Sequence, residues 1–413
     1  MCVALAVALA LAVGGCAAFS SGGGSDDSVD VRTGPGITDR TITLGAITDL
    51  TGVYATLGKS MTQAQQLYFD QLNDAGGVCG RDVELLIRDH GYDVQRGVDA
   101  YAEVSGKVAG LPQVIGSPIV SALLPNVQRD QMLTIPAAWA STLLAHRYIQ
   151  VVGGTYDIEM INAVGFLVKE KGLRSGDKIG HVYFEGEYGE SALSGAKFAA
   201  GRAGVTVVEQ RIKATDAEMA PQVAALRAAG VKAILMSAGP KQSASLSTVA
   251  EAVGLNVPIV SNNPGFSPQL LSSPAASSLL SNFYLVSAVQ TASAAVSGMR
   301  SLVAAYEEEY PTSPFDSAVS FGYVAAQVFG AALKKACEAK DLSREGILLA
   351  LRTMKSFESG GIMPPLDFSK PGDAGSATSF VQRPHPTAKG GLISIGEPIT
   401  AEGVEDYRFP SPG

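Results

Sequence analysis

The sequence predicts an α/β protein of two lobes, each built on a doubly wound parallel sheet. Two series of alternating strands and helices indicate this class, the first over residues 41–152 and the second over residues 178–261. Such alternation is typical of parallel sheets with helices on both faces. The roughly 375 residues that follow the N-terminal region also favour two cores over one.

The first series opens with a strand–helix–strand unit over residues 41–93. An apolar run at 42–47 is rich in β-branched residues and predicts a buried strand. Apolar residues at helical spacing follow over 64–72. A second apolar strand at 83–87 then ends in an arginine, an aspartate and a histidine. In open α/β sheets, ligands bind at such carboxyl ends of strands.

This unit resembles the opening of the extracellular solute-binding proteins of ABC transporters, of the leucine/isoleucine/valine-binding type. The matching features are the TG-x-Y-A-x-x-G loop at 51–58, the long helix, the N-D-A-G-G-V-x-G-R turn at 73–81 and the strand with a polar end. The resemblance spans about residues 38–400 and is strongest at 41–93 and in the loop around Tyr188. It implies a small-molecule ligand and an ABC permease as partner.

The resemblance further implies the type I periplasmic-binding fold, in which a three-strand hinge joins the lobes. Lobe 1 would comprise residues 38–153 and 287–363, and lobe 2 residues 154–286 and 364–413. Hinges of this kind let two lobes close around a ligand.

The N-terminus predicts export and anchoring. Residues 2–13 are all apolar, which is short of the roughly 20 residues that span a bilayer and typical of a signal-peptide core. Val13-Gly14-Gly15-Cys16 resembles a bacterial lipobox, although no Lys or Arg precedes the apolar core. We therefore predict a signal peptide over 1–15, a lipidated Cys16, a flexible Gly- and Ser-rich tether over 16–37, and an extracytoplasmic body anchored to the cell membrane. Alternatively, Cys16 is only a small residue near a cleavage site.

The net charge limits the class of partner, and the cysteines limit the possible covalent cross-links in the fold. The net charge of −8 disfavours nucleic acid, which attracts basic surfaces. Beyond Cys2 and Cys16, the chain contains two cysteines, Cys79 and Cys337. In the resembled fold their helices both belong to lobe 1, so the resemblance implies a Cys79–Cys337 disulfide. Two buried free thiols are the alternative.

No pattern of catalytic residues stands out. The four histidines lack the spacing of a zinc site, and the sequence contains no G-x-S-x-G elbow, no G-x-G-x-x-G after a strand and no Walker A loop. This pattern favours a binding protein without cofactor, metal or catalytic residue.

The resemblance assigns candidate ligand-binding residues in lobe 1. Ser121 matches a hydroxyl that meets the ligand's carboxylate, although an ordinary helix cap would use the same geometry. Ala138 and Ser141 match a small-residue and hydroxyl pattern. Trp139 departs from that pattern and either stacks on a ligand or packs under its loop. Tyr54 would lie at the rim of the cleft.

In lobe 2 the loop at 184–190 makes Tyr188 the best-matched residue for a cleft wall. Gly239 stands where branched-amino-acid binders often place an aromatic residue. Asn263 stands at the position of an acidic residue that would meet an ammonium group. These two departures predict a ligand that is larger or less cationic than leucine, isoleucine or valine.

The sequence thus predicts a lipid-anchored solute-binding protein that delivers an amino acid, amide, aromatic acid or similar small molecule to an ABC permease. A ligand-sensing receptor subunit of the same fold is the alternative, and a secreted enzyme is a further one.

Overall fold

A computed structural model describes residues 31–409 of the chain. The predicted signal peptide and the Cys16 site lie outside these residues. The strands are β1 (Thr41–Thr48), β2 (Asp82–Asp89), β3 (Leu111–Ile115), β4 (Thr134–Ala137), β5 (Lys178–Phe184), β6 (Thr206–Ile212), β7 (Ala233–Ser237), β8 (Ile259–Asn262), β9 (Phe283–Ser287), β10 (Phe380–Pro384) and β11 (Leu392–Ser394). The helices are α1 (Ala55–Asp74), α2 (Val94–Val104), α3 (Ser117–Arg129), α4 (Tyr156–Lys171), α5 (Glu187–Ala203), α6 (Ala220–Ala229), α7 (Pro240–Ala252), α8 (Ala276–Asn282), α9 (Ser297–Glu309), α10 (Ser317–Glu338) and α11 (Arg344–Arg352).

The first sheet has four parallel strands in the order β2-β1-β3-β4. Its central strands are buried, with Ile42, Leu44 and Ile47 of β1 fully inaccessible. Strands that are covered on both faces need the continuous apolar runs that the sequence shows here. Helix α10 packs along α1 and α11 and contacts β3, so a late segment of the chain completes this lobe.

The second sheet has seven strands in the order β11-β10-β9-β8-β7-β5-β6. Strands β5 to β9 pair in parallel, whereas β9, β10 and β11 pair antiparallel. Helices α4 and α5 pack on each other and on this sheet. The two sheets confirm the predicted α/β class, and the antiparallel edge is the part that repeated βα units do not specify.

The chain passes between the two sheets three times: before α4, after β9 and after α11. The three connections lie side by side, because the Gln290 amide donates to the Ile362 carbonyl at 2.8 Å. Likewise, the Ser376 amide donates to the Gly153 carbonyl at 3.3 Å. This arrangement is the type I periplasmic-binding fold, and the lobe limits given above stay a prediction.

Residues 31–37 of the predicted tether lie against the first lobe. The Arg32 amide donates to the Lys340 carbonyl at 3.0 Å, and the Leu342 amide donates to the Arg32 carbonyl at 2.7 Å. The Arg32 side chain also pairs with Asp341 at 3.3 Å. Among the described residues, no helix is both long and apolar enough to cross a membrane.

The predicted disulfide between Cys79 and Cys337 is present, with a Cα–Cα distance of 5.9 Å. Cys79 follows the C-terminal end of α1, and Cys337 lies in the last turn of α10. The bridge therefore joins two packed helices at the ends opposite Tyr54 and Ser317, where α1 and α10 begin.

Candidate functional site

A cavity of about 40 Å³ lies between the lobes, at the carboxyl ends of strands from both sheets, and is partly open to solvent. Lobe 1 supplies most of the wall through residues that follow β1 to β4 and through the start of α10, and the segments after β5 and β8 face them. The lining residues are Tyr54, Leu57, Met61, Tyr92, Ile115, Gly116, Ser117, Ala137, Trp139, Tyr156, Tyr188, Asn263, Pro264, Ser317, Ala318 and Phe321.

Aromatic side chains form much of the wall of this cavity. The rings of Tyr156 and Tyr188 lie 4.3 Å apart between centroids, and Trp139 meets Tyr156 edge-on at 5.7 Å. On the lobe 1 side, the Tyr54 and Tyr92 rings meet edge-on at 5.1 Å. Edge-to-face pairs of this kind hold rings in fixed orientations. The cavity therefore has a rigid wall suited to apolar groups.

Two buried hydroxyls carry most of the polarity on the lobe 1 side. Neither Tyr54 OH nor Ser117 Oγ makes a hydrogen bond of normal geometry within residues 31–409. Ser117 begins α3, where backbone N–H groups lack partners within the helix. Burial raises the pKa of Tyr54 well above its ordinary value of 10.0, so the phenol stays protonated. The phenol of Tyr92 lies close to Tyr54 OH, and that of Tyr156 lies close to Ser117 Oγ, so a ligand oxygen here would meet a group of hydroxyl donors.

On the lobe 2 side, two asparagines follow one another at the end of β8. Tyr188 OH donates to Asn262 Oδ1 at 2.8 Å, which fixes the Tyr188 ring against the sheet. Ser317 Oγ of lobe 1 donates to Asn263 Oδ1 at 3.3 Å. These contacts bring α5, α10 and the end of β8 to one place.

The lining contains no Asp, Glu, Lys, Arg or His. Three buried acids lie behind this lining: Asp49, which accepts from the Tyr54 amide at 2.8 Å, Asp316, which precedes Ser317, and Glu159. The Glu159 carboxylate accepts from the backbone amides of Asn263 and Ala288. Burial, its largest cause, raises the pKa of Glu159 well above the ordinary 4.5, which favours the neutral acid. The cavity is thus an uncharged surface, and an ammonium group inside it would lack a facing carboxylate.

Four of the eight predicted ligand-binding residues line the cavity: Tyr54, Trp139, Tyr188 and Asn263. Tyr54 lies deeper than the predicted rim, with only 7% of its surface exposed. Trp139 combines both alternatives, because its ring lines the cavity while its indole N–H donates to the Val152 carbonyl at 3.1 Å. Whether these four residues contact a ligand stays a prediction.

The other four predicted residues, Ser121, Ala138, Ser141 and Gly239, lie outside the lining. Ser121 Oγ donates to the Glu187 carboxylate of lobe 2. The Ser141 backbone N–H donates to Ser191 Oγ at 3.2 Å. Both serines therefore join the lobes to each other. Ala138 is fully buried, and Gly239 lies behind the Tyr54 ring.

The sequence interpretation missed Ser117, Tyr92 and Tyr156. Ser117 directly follows β3, four residues before the serine that the motif match selected. Tyr92 follows the polar end of β2, which the sequence marked as a ligand-binding edge. Tyr156 begins α4 directly after the first connection between the lobes. A search of every strand end for hydroxyl-bearing side chains, phenols included, would have found Ser117 and Tyr92.

Two lobes that enclose a cavity, joined by three connections, define a solute-binding protein. The chain belongs to the periplasmic binding protein family, whose model matches residues 41–387. A solved structure, "Fatty acid ABC transporter substrate-binding protein from Thermomonospora curvata", is similar at 46% identity and a TM-score of 0.90, covering 92% of this chain and 98% of that one.

More distant relatives share the same fold. A "branched chain amino acid ABC transporter from Thermus thermophilus with bound valine" is 19% identical with a TM-score of 0.79, covering 89% of this chain and 98% of that one. "Leu/Ile/Val-binding protein homolog 8" of Brucella abortus (strain 2308) is 23% identical over 309 residues, which are 71% of this chain and 76% of the relative. Together with the family match, these similarities make the chain a substrate-binding protein of the ABC-transporter type.

Proposed function

We propose that this protein captures a fatty acid, or a similar carboxylate with an apolar tail, in the cavity between its lobes and delivers it to an ABC permease. The observation that carries the proposal is the uncharged, aromatic lining, which offers a tail apolar surface and offers an α-ammonium no carboxylate. Cys16 would hold the protein at the membrane surface as a lipid anchor, with the residues before Val31 as its tether.

The tail supplies most of the binding free energy in this account. The cavity of about 40 Å³ is smaller than such a tail, so the lobes would move apart at the hinge to admit it. Each buried methylene contributes roughly 0.8 kcal/mol, so affinity should increase with chain length as far as the opened cleft can cover the tail. The apolar side chains of Leu57, Met61, Ile115 and Phe321 form the part of the lining that would contact it.

The carboxylate would be met by hydrogen-bond donors rather than by a cation. Tyr54 OH and Ser117 Oγ are buried without partners of normal geometry among the described residues. The free backbone amides at the start of α3 add partial positive charge, which favours an anion. A hydroxyl left unpaired in a dry cavity is costly, so a ligand oxygen at this place is favourable.

The 46% identity with the Thermomonospora curvata protein supports a fatty acid over an amino acid, since the relatives named for branched-chain amino acids share only 19% and 23%. The neutral Asn263 agrees with this choice. At this position the resemblance to the leucine-binding type predicts an acidic residue.

A thermal-shift comparison on delipidated protein tests the proposal. Dodecanoate should raise the melting temperature by mass action on the native state. Dodecanol, which keeps the tail and lacks the carboxylate, should raise it less, and leucine and valine should leave it unchanged. A shift with leucine or valine and none with dodecanoate would overturn the proposal.

A further inference from the structure

Tyr92 presents its ring to the cavity from a strained backbone conformation. Its φ of 62° lies in the left-handed region, which among the described residues only Cys79, Gln131 and Lys340 share outside glycine. Such a conformation is unfavourable for a residue with a Cβ and persists only where its surroundings hold it. Tyr92 is the one member of this group that lines the cavity.

His90 supplies the contact that holds this conformation. The Tyr92 amide donates to His90 Nδ1 at 2.9 Å, and the Asp93 amide donates to the His90 carbonyl at 3.0 Å. The histidine is fully buried. An imidazole nitrogen that accepts a hydrogen bond carries no proton, so His90 must be neutral with its proton on Nε2.

The ring of Tyr92 has little freedom once its backbone is fixed. A Cβ at Gly116 would lie 2.7 Å from Tyr92 Cε2, which shows how closely the ring lies on the start of α3. On its other side the ring meets Tyr54. A turn of the Tyr92 backbone would therefore withdraw the ring from the cavity and uncover both Gly116 and Tyr54.

Charged groups face His90 from three directions. Asp49 follows β1 and Asp89 ends β2, and both favour the protonated ring, while Arg96 of α2 opposes it. Arg96 also pairs with Asp89 at 3.0 Å, which offsets part of that carboxylate's effect. Burial is the largest influence and lowers the pKa of His90 below its ordinary 6.5. The phenols of Tyr54 and Tyr92 stay neutral, since burial raises the pKa of both.

We propose that His90 is a positioning residue for ligand binding: its neutral imidazole accepts the Tyr92 amide and so holds the Tyr92 ring in the wall of the cavity. A proton on Nδ1 replaces the acceptor by a donor that faces another donor, and the strained conformation loses its support. Affinity then falls in acid while the fold remains. This inference rests on the proposed function for its ligand.

Two substitutions of His90 separate acceptor chemistry from packing. An asparagine side chain accepts from the backbone N–H two residues later, so His90→Asn keeps the acceptor and cannot be protonated. His90→Leu keeps the bulk and has no acceptor. Near pH 7.5, calorimetric titration with dodecanoate should give His90→Leu a Kd about tenfold or more above wild type, and His90→Asn a Kd within about threefold of it.

The pH dependence supplies the second comparison. As the pH falls from about 7.5 through the lowered pKa of His90, the affinity of wild type should fall by at most roughly tenfold per pH unit, whereas that of His90→Asn should fall less. Equal pH profiles of wild type and His90→Asn, or an unchanged Kd in His90→Leu, would overturn the inference. Thermal unfolding checks that each variant is folded.

One further readout needs no ligand. In ¹⁵N-histidine spectra of the free protein at neutral pH, His90 should show an unprotonated Nδ1. A protonated Nδ1 would overturn the inference whether or not dodecanoate binds, whereas dodecanoate that fails to bind wild type would contradict the proposed function instead.

Discussion

Ser317 Oγ donates to Asn263 Oδ1 at 3.3 Å across the cavity, so the N-terminus of α10 in one lobe meets the end of β8 in the other. Both residues line the cavity. A ligand between the lobes therefore lies against one of the contacts that join them. We expect the identity of residue 263 to affect both the preferred charge of the ligand and the closure of the lobes.

Asn263→Asp tests the charge preference. A carboxylate at this position would repel the carboxylate of a fatty acid inside a closed, poorly solvated cavity. We expect calorimetry near neutral pH to show at least a roughly tenfold weaker affinity for dodecanoate.

Ser317→Ala is the matched control for this substitution, because it removes the hydrogen bond to Asn263 and adds no charge. Its effect on affinity should be clearly smaller. An Asn263→Asp variant that binds dodecanoate as tightly as wild type would show that the carboxylate of the ligand does not approach residue 263.

Gly116→Ala tests whether the Tyr92 ring contributes to binding. Gly116 caps α3 with a φ of 96°, and a Cβ there would lie 2.7 Å from the Tyr92 ring. The substitution should cost on the order of 1–3 kcal/mol in backbone strain and also displace the ring, which lowers affinity for dodecanoate in fluorescence or calorimetric titration.

Gly186→Ala supplies the comparison. Gly186 caps α5 with a φ of 93°, and a Cβ there meets nothing within 4 Å. It should lower stability to a similar degree in urea unfolding while leaving affinity nearly unchanged. Equal losses of affinity in the two variants would argue against a role of the Tyr92 ring.

Asp316 gives stability a defined pH dependence. This buried carboxylate caps α10, accepting from the Ala318 and Val319 amides and from Ser60 Oγ. Burial raises its pKa from the ordinary 3.8 to about 7. Because the folded state binds the proton more tightly than the unfolded state, the contribution of Asp316 to stability is fully present below about pH 3.8 and is lost as the pH rises towards 7.

Asp316→Asn keeps the cap and cannot ionise. In urea unfolding, the free energy of unfolding of wild type relative to this variant should fall by a few kcal/mol, as an order of magnitude, from about pH 4 to pH 7. Parallel pH profiles would mean that Asp316 keeps an ordinary pKa. Other titrating groups cancel in the comparison.

The disulfide should contribute to stability and not to binding. Cys79 and Cys337 lie 258 residues apart in sequence and join the C-terminal ends of α1 and α10, away from the cavity. The Cys79→Ser, Cys337→Ser double variant should lose about 2–5 kcal/mol of unfolding free energy. Its Kd for dodecanoate should match that of wild type, and a large change in Kd would contradict this separation.

Much of the fold follows from local sequence. The apolar runs that become β1, β2 and β3, the helices between them and the joined cysteines could all be predicted, because strand and helix periods are local and the resemblance gave the connections. The antiparallel edge at β10 and β11 could not, since short strands from distant segments pair there.

The site was only partly predictable for a related reason. Tyr54, Trp139, Tyr188 and Asn263 follow strands, and strand ends meet at one edge. Tyr92 also follows a strand, but its backbone is left-handed, a conformation that tyrosine rarely adopts. No local sequence pattern predicts that conformation. Ser121 was selected by motif, yet one helical turn from Ser117 its side chain points to Glu187 of the other lobe.

Calorimetric titration of delipidated wild-type protein with dodecanoate and, separately, with valine distinguishes a fatty-acid-binding protein from an amino-acid-binding one. We expect saturable one-to-one binding of dodecanoate and no heat of binding with valine. Saturable binding of valine together with no binding of dodecanoate would contradict the proposed function.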